Sequence, residues 1–303
     1  MHIPDGFLST GVCLATGAAG GASVVWMARR AQAETEESRA PLLGVMGAFV
    51  FAAQMINFPV GVGTTGHLLG GALLAITLGP ASAVVVMAAI LVVQALVFQD
   101  GGVLALGANV FNMAVAGVFA GYLPYRLLLR AGGRGVAVFT GACLSVVASA
   151  LLAIGQLQLS GIRIPTAILG VSVGLFIVNG LVEGVITLGV VRSLEALHPG
   201  WIRKPPGTAR RPVLAVVAAS ALVLAVGGVW IASSEPDGLE KLAEKSGIAS
   251  RARALLPAPL GDYETGLVST PWLSKTAAGV AGLVLVFGLA VWIGRMQDRK
   301  RGN

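Results

Sequence analysis

Charge is scarce in this sequence. Only 12% of its 303 residues are Asp, Glu, Lys or Arg, against roughly 25% in soluble domains, and that shortfall excludes an ordinary water-soluble fold. Cysteine is nearly missing. Cys13 and Cys143 stand alone in apolar runs without Cys-x-x-Cys spacing, so they read as small residues facing lipid or core rather than as a thiolate cluster. No G-x-x-x-x-G-K-S/T loop occurs, so the chain does not hydrolyse ATP by itself. Neither H-E-x-x-H nor a Ser/His/Asp set is present, which removes the intramembrane hydrolases. Histidine is confined to three positions, His2, His67 and His198.

What the sequence has in quantity is apolar length. Hydrophobic residues make up 55% of it, and many runs reach the ~17 to 25 residues that carry a helix across a bilayer. Glycine is abundant, which suits close helix contact in lipid. Apolar spans fall at 8–28, 42–58, 65–79, 81–98, 103–124, 135–157, 165–191, 213–232 and 276–295. The fold class is an all-α polytopic membrane protein. The third span is short and rich in glycine (Gly66, Gly70, Gly71, Gly79), so it is expected to be irregular or re-entrant.

The net charge of +7 gathers beside the spans, at Arg29/Arg30, Arg126/Arg130/Arg134, Arg203/Lys204, Arg210/Arg211 and Arg299/Lys300/Arg301. This is positive-inside patterning rather than a nucleic-acid surface, and it puts the N-terminus outside and the C-terminus in the cytoplasm. A Pro- and Gly-rich stretch around 199–212 divides the chain. Seven spans lie in 1–200; a cytoplasmic linker occupies 201–212; two more spans in 213–303 flank a polar loop at 233–275.

Chemistry concentrates at the start, Met1-His2-Ile3-Pro4-Asp5-Gly6. Neither a basic lead nor a cleavage site precedes it. If the mature chain begins at Met1, it offers an α-amine, the His2 amide and the His2 imidazole within two residues. Amine and amide close a five-membered chelate ring, and amide and Nδ1 a six-membered one. A fourth nitrogen would complete a plane, the geometry of Ni(II) or Cu(II), with Co(II) also suited. His67 shares the outward side with His2 and is the candidate fourth donor; an interfacial histidine bonded to a carbonyl is the competing account. His198, beside Pro199 at the cytoplasmic boundary, reads as structural or solvated.

Polar residues border the outward ends of the spans: Gln54, Asn57, Gln94, Asp100, Asn109 and Asn112. They either orient the metal donors or hold the bundle together by interhelical hydrogen bonds. Glu183 is either a partner contact or a buried acid paired with Asn179. The small residues Gly44, Ala48 and Ala52 form a stripe for close helix approach, internal or toward another subunit. Gly61 to Gly66 spells G-x-G-x-x-G, but without the strand, helix and acid of a dinucleotide site the match is chance.

The N-terminal hexapeptide, Gly63-Thr64-Thr65-Gly66-His67-Leu68-Leu69-Gly70-Gly71, Gln99-Asp100-Gly101-Gly102 and Leu106-Gly107-Ala108-Asn109 together resemble the CbiM/NikM family. These are the substrate-binding membrane components of energy-coupling-factor cobalt and nickel importers. The Pro-Asp-Gly-Leu-Glu run at 236–240 resembles the accessory N component, here fused to the same chain. The resemblance implies a Co(II) or Ni(II) cargo held by Met1, His2 and His67, with Asn57, Gln94, Asp100 and Asn109 as supporting polar residues. It implies a prokaryotic plasma-membrane location, a membrane coupling subunit and cytoplasmic ATPases as partners, and no enzymatic activity. A stand-alone permease driven by an ion gradient is the alternative. Glu235, Asp237, Glu240 and Glu244 either gather cations or line a plain solvated amphipathic helix.

Overall fold

Backbone amides that cross a bilayer must bond within their own segment, so long apolar runs become helices. A computed structural model describes residues 1–34, 40–131, 133–198 and 211–299. Residues 201–210 of the linker expected at 201–212, and with them Arg203, Lys204 and Arg210, lie outside the described residues, as do Lys300 and Arg301.

The helices are α1 (Thr10–Glu34), α2 (Ala40–Gln54), α3 (Gly71–Leu78), α4 (Pro80–Val93), α5 (Leu106–Asn109), α6 (Val118–Arg130), α7 (Arg134–Leu159), α8 (Thr166–Leu197), α9 (Arg211–Ile231), α10 (Gly238–Lys245) and α11 (Pro271–Arg299). Among the described residues seven helical segments are long and apolar enough to cross a membrane, two of them in the accessory unit; α2 is apolar but shorter. The chain is a multi-pass membrane protein.

The third span, expected over 65–79, is irregular only in its first residues and is a short regular helix, α3, over Gly71–Leu78. Residues 58–66 form an antiparallel hairpin, β1 (Phe58–Gly61) and β2 (Thr64–Gly66). Gly70, at φ 77°, then turns the chain into α3, whose eight residues rise only about 12 Å. Leu69 N and Gly70 N, left over at the start of α3, both donate to Glu183 of α8, Gly70 at 2.7 Å. Glu183 is fully buried. It serves neither a partner nor Asn179: it clamps the backbone two and three residues past His67.

Two π-helical stretches, Gln94–Phe98 and Val110–Gly117, continue α4 and join α5 to α6. Such widened turns commonly sit beside functional sites.

The accessory helices α9 and α11 pack against α2. A β-carbon at Gly44 would lie 2.6 Å from Val291 of α11. At Gly44 the small-residue stripe of α2 therefore lets α11 of the accessory unit approach closely. Beyond α9, the loop bonds to several first-unit segments: Ser233 N to Asn57 O, Thr65 N to Pro236 O, Arg253 N to Asp5 O and Leu260 N to Val97 O. The N-terminus, the hairpin, the 99–105 loop and the accessory loop all meet at one end of the bundle. His198 caps the C-terminus of α8 at the other.

Candidate metal-binding site

Residues 1–9 precede α1 as a hook folded onto the bundle end. Asp5 anchors it, its carboxylate accepting from Val103 N at 2.9 Å, Leu104 N at 2.8 Å and Ala105 N at 3.0 Å. Asn109 brackets Ile3, accepting from its N–H at 2.8 Å and donating to its carbonyl at 3.0 Å. A β-carbon at Gly102 would fall 2.0 Å from Asp5 Oδ1, so only glycine lets the 99–105 loop close on the hook.

The hook delivers the α-amine to a buried place. Met1 is 6% exposed, and its nitrogen lies 2.8 Å from His67 Nε2. The other ring nitrogen, Nδ1, is 2.9 Å from Leu68 O. The carbonyl accepts a hydrogen bond from Nδ1–H, leaving the Nε2 lone pair toward the amine. Two cis donors each about 2.0 Å from a metal stand roughly 2.8 Å apart, so the observed separation fits neighbouring corners of one coordination plane.

His2 stacks on His67, with ring centroids 5.5 Å apart and planes 7° from parallel. Its Nδ1, however, is 2.9 Å from Asp100 Oδ1, and its buried Nε2 has no hydrogen-bond partner. The nitrogen expected to close the six-membered ring is thus paired with a carboxylate, a stronger acceptor for a ring N–H than a neutral neighbour.

The supporting polar residues divide. Asp100 touches His2 directly and accepts from Tyr263 OH at 2.6 Å. Asn109 fixes the hook backbone. Gln94 donates to Gln54 Oε1 at 2.9 Å and lies 3.5 Å from Tyr263 OH; Gln54 in turn donates to Leu69 O at 2.8 Å. Asn57 lines the cavity beside the site and bonds Ser233 through its carbonyl. Asn112 pairs with Gln156 at 2.8 Å, away from the donors, as a bundle contact.

Two residues of the accessory loop enter the site without having been singled out as members of it. Tyr263 is one. The other is Asp237, whose Oδ2 forms an ion pair with the Met1 amine and lies 3.8 Å from His67 Nε2. Asp237 also caps α10, accepting from Leu239 N at 2.7 Å and Glu240 N at 2.9 Å, while Glu240 bonds its N–H in return. A cavity of about 470 Å³ opens beside His2, His67, Asp100, Asp237, Glu240 and Tyr263.

Burial opposes ionisation of Asp237, but the adjacent α-amine and His67 outweigh it and hold the carboxyl below its ordinary value. Asp100 behaves likewise, with His2 and the Tyr263 hydroxyl overcoming burial. Burial pushes Glu240 and Tyr263 up. For His67, burial, the α-amine and the His2 ring together push the imidazole from 6.5 down to about 4. A group depressed on folding adds stability above its unfolded value and loses it as pH falls. Metal-free protein should therefore lose about 3 kcal/mol on this account as pH drops from 6.5 to about 4. His67→Gln should flatten that part of the melting curve in detergent; a variant that melts in parallel with the parent would contradict the assignment.

Among the described residues no group of three or more His, Cys, Asp or Glu side chains is arranged to hold a metal ion. A four-nitrogen plane here needs the terminal amine and a backbone nitrogen. The model of the cobalt uptake substrate-specific transmembrane region matches residues 2–201. The chain belongs to that family, CbiM. A PDGLE domain follows over residues 211–299, so this member joins the CbiM region to an accessory unit.

Two similar proteins are themselves named as fused. A protein of Archaeoglobus fulgidus, provisionally named a fused nickel transport protein NikMN, is 36% identical over 95% of this chain and 96% of its own length. The fused nickel transport protein NikMN of Rhodobacter capsulatus is 28% identical over 94% of this chain and 95% of its own. The cobalt transport protein CbiM of Thermosediminibacter oceani is 37% identical over 55% of this chain and 71% of its own. A crystal structure of a truncated transition metal transporter, 37% identical, superimposes at a TM-score of 0.59 over 65% of this chain and all of that one. As a CbiM-family member the chain is a cobalt/nickel-type transport protein and not an enzyme.

Proposed function

We propose that this chain is the substrate-binding membrane subunit of an energy-coupling-factor importer, capturing Ni(II) or Co(II) from outside the cell. The Met1 amine, the His2 amide and imidazole, and the His67 imidazole would form the plane. The observation that carries this reading is the buried Met1 amine 2.8 Å from His67 Nε2. Capture requires the His2 ring to give up Asp100, by a half-turn about Cβ–Cγ or by a small shift of the ring.

Nickel is the preferred cargo in this reading. Relatives that span both units carry nickel in their names, whereas the cobalt-named one aligns with little more than half the chain. A four-nitrogen plane also suits Ni(II) well. With the amine outward, the basic helix ends Arg126, Arg130, Arg134 and Arg192 face the cytoplasm, where a coupling subunit and its ATPases would act. Glu183 is committed to the α3 backbone, which speaks against its use as an ion relay in a stand-alone permease.

Calorimetry of purified full-length protein with Ni(II) and Co(II) tests this directly. His67→Ala should weaken binding by at least about a hundredfold, and His198→Ala by less than about threefold. The reverse pattern would mean that the wrong histidine has been placed in the site, and tighter Co(II) than Ni(II) binding would reverse the cargo assignment.

A further inference from the structure

The accessory loop puts a carboxylate on the α-amine, and two contributions, charge and orientation, set its effect on metal capture. The first is charge. Before capture the amine is an ammonium carrying +1. When a dication binds, the ammonium releases one proton and the His2 amide another, both to water in the adjoining cavity, and the complex again carries +1. One dication enters and two protons leave, so the charge beside Asp237 is the same in both states. The Coulomb attraction of Asp237 therefore largely cancels between them. What remains is orientation.

A coordinated amine keeps two N–H groups and must aim its single lone pair at the metal. A buried N–H without an acceptor costs free energy, and a carboxylate accepting one of them fixes rotation about the Cα–N bond. Asp237 is built for that task. Its Oδ1 is occupied by Leu239 N and Glu240 N at the start of α10, which leaves Oδ2 for the amine. The preceding residues are tied to the His67 hairpin: Thr65 N bonds Pro236 O at 2.9 Å, and Thr65 Oγ1 bonds Glu235 O at 2.9 Å. The acceptor and the fourth nitrogen are thus held by one local framework.

We infer that Asp237 of the accessory unit is a positioning residue for the α-amine, so that the metal site is completed by both units of the chain. This inference rests on the chelate proposed above. Acceptors of this kind are worth about ten- to a hundredfold in metal affinity.

The test uses full-length protein and Asp237→Asn. Asparagine caps helices as well as aspartate does, and with its oxygen on the α10 amides it turns an NH2 group toward the amine, so the acceptor is lost while the cap is kept. Ni(II) affinity should fall about ten- to a hundredfold, while the visible absorption at saturating nickel stays that of the parent because the four nitrogens are unchanged. Asp237→Glu, which restores an acceptor, should recover most of the loss. Equal or tighter binding by Asp237→Asn would overturn the inference, since Asp237 would then act mainly as a competitor holding the ammonium. Glutamate no better than asparagine would overturn it as well, and this arm stands even if Asp237→Asn fails to fold, because loss of binding in the glutamate variant would itself count against an acceptor role. If blocking the N-terminus abolishes binding but Asp237→Asn does not weaken it, only this inference falls. If blocking leaves binding intact, the chelate itself falls.

Discussion

Adding one residue before Met1, or retaining a formyl group, should weaken Ni(II) and Co(II) binding by more than about a thousandfold with little change in expression or folding. The change converts the α-amine to an amide, which removes the terminal amine donor from that corner of the plane. It also asks for space where there is little: Met1 is 6% exposed, and its nitrogen is enclosed by His67 and Asp237. An extra residue must displace one of them or pull the hook outward. Titration calorimetry of the extended and native forms checks this, and equal affinities would remove the amine from the site.

Asp5→Ala should also weaken binding severely, although Asp5 donates nothing to a metal. Three backbone N–H groups converge on its carboxylate, and it is buried. Hydrogen bonds to a charged group contribute about 1.5–3 kcal/mol each, and orphaned buried donors add cost. Even if water recovers most of this, a residual of about 3 kcal/mol spent on seating the hook corresponds to roughly a hundredfold weaker nickel binding. The donor atoms all remain, so raising the nickel concentration should restore the parent's visible absorption. A variant that never regains that absorption would show that the hook takes a different path once loosened. Asp5→Asn should lie between the two, because one amide oxygen replaces two carboxylate oxygens.

Much of this site is legible in the sequence because its donors sit in short, unusual runs. The start Met1-His2-Ile3-Pro4-Asp5-Gly6 and the segment around His67 place nitrogen where an apolar chain has almost none. The helices are legible for the reason that lipid leaves few alternatives, and Gly66, Gly70, Gly71 and Gly79 signal irregular backbone in the third span. The hairpin itself does not show, since four- and three-residue strands are too short for a period of two to emerge. The π-helical stretches at 94–98 and 110–117 carry no compositional mark.

Asp237 escapes for a different reason. Its surroundings, Asp237-Gly238-Leu239-Glu240, are an ordinary capping box, which explains the residue fully without a second role. Only its 236-residue separation from Met1 in sequence and its contact in space reveal the other use of its second oxygen. Tyr263 lies in a polar loop with no periodicity at all. Glu183 stands out as an acid in an apolar span, but its purpose depends on which backbone lies opposite, and that is a matter of packing between α8 and α3.

Nickel K-edge X-ray absorption on the metal-loaded, full-length protein addresses the coordination plane itself. The expected spectrum is that of a square-planar ion with four nitrogen neighbours and the outer-shell scattering of two imidazoles. A six-coordinate, oxygen-rich shell, or a single imidazole, would contradict a site built from Met1, His2 and His67.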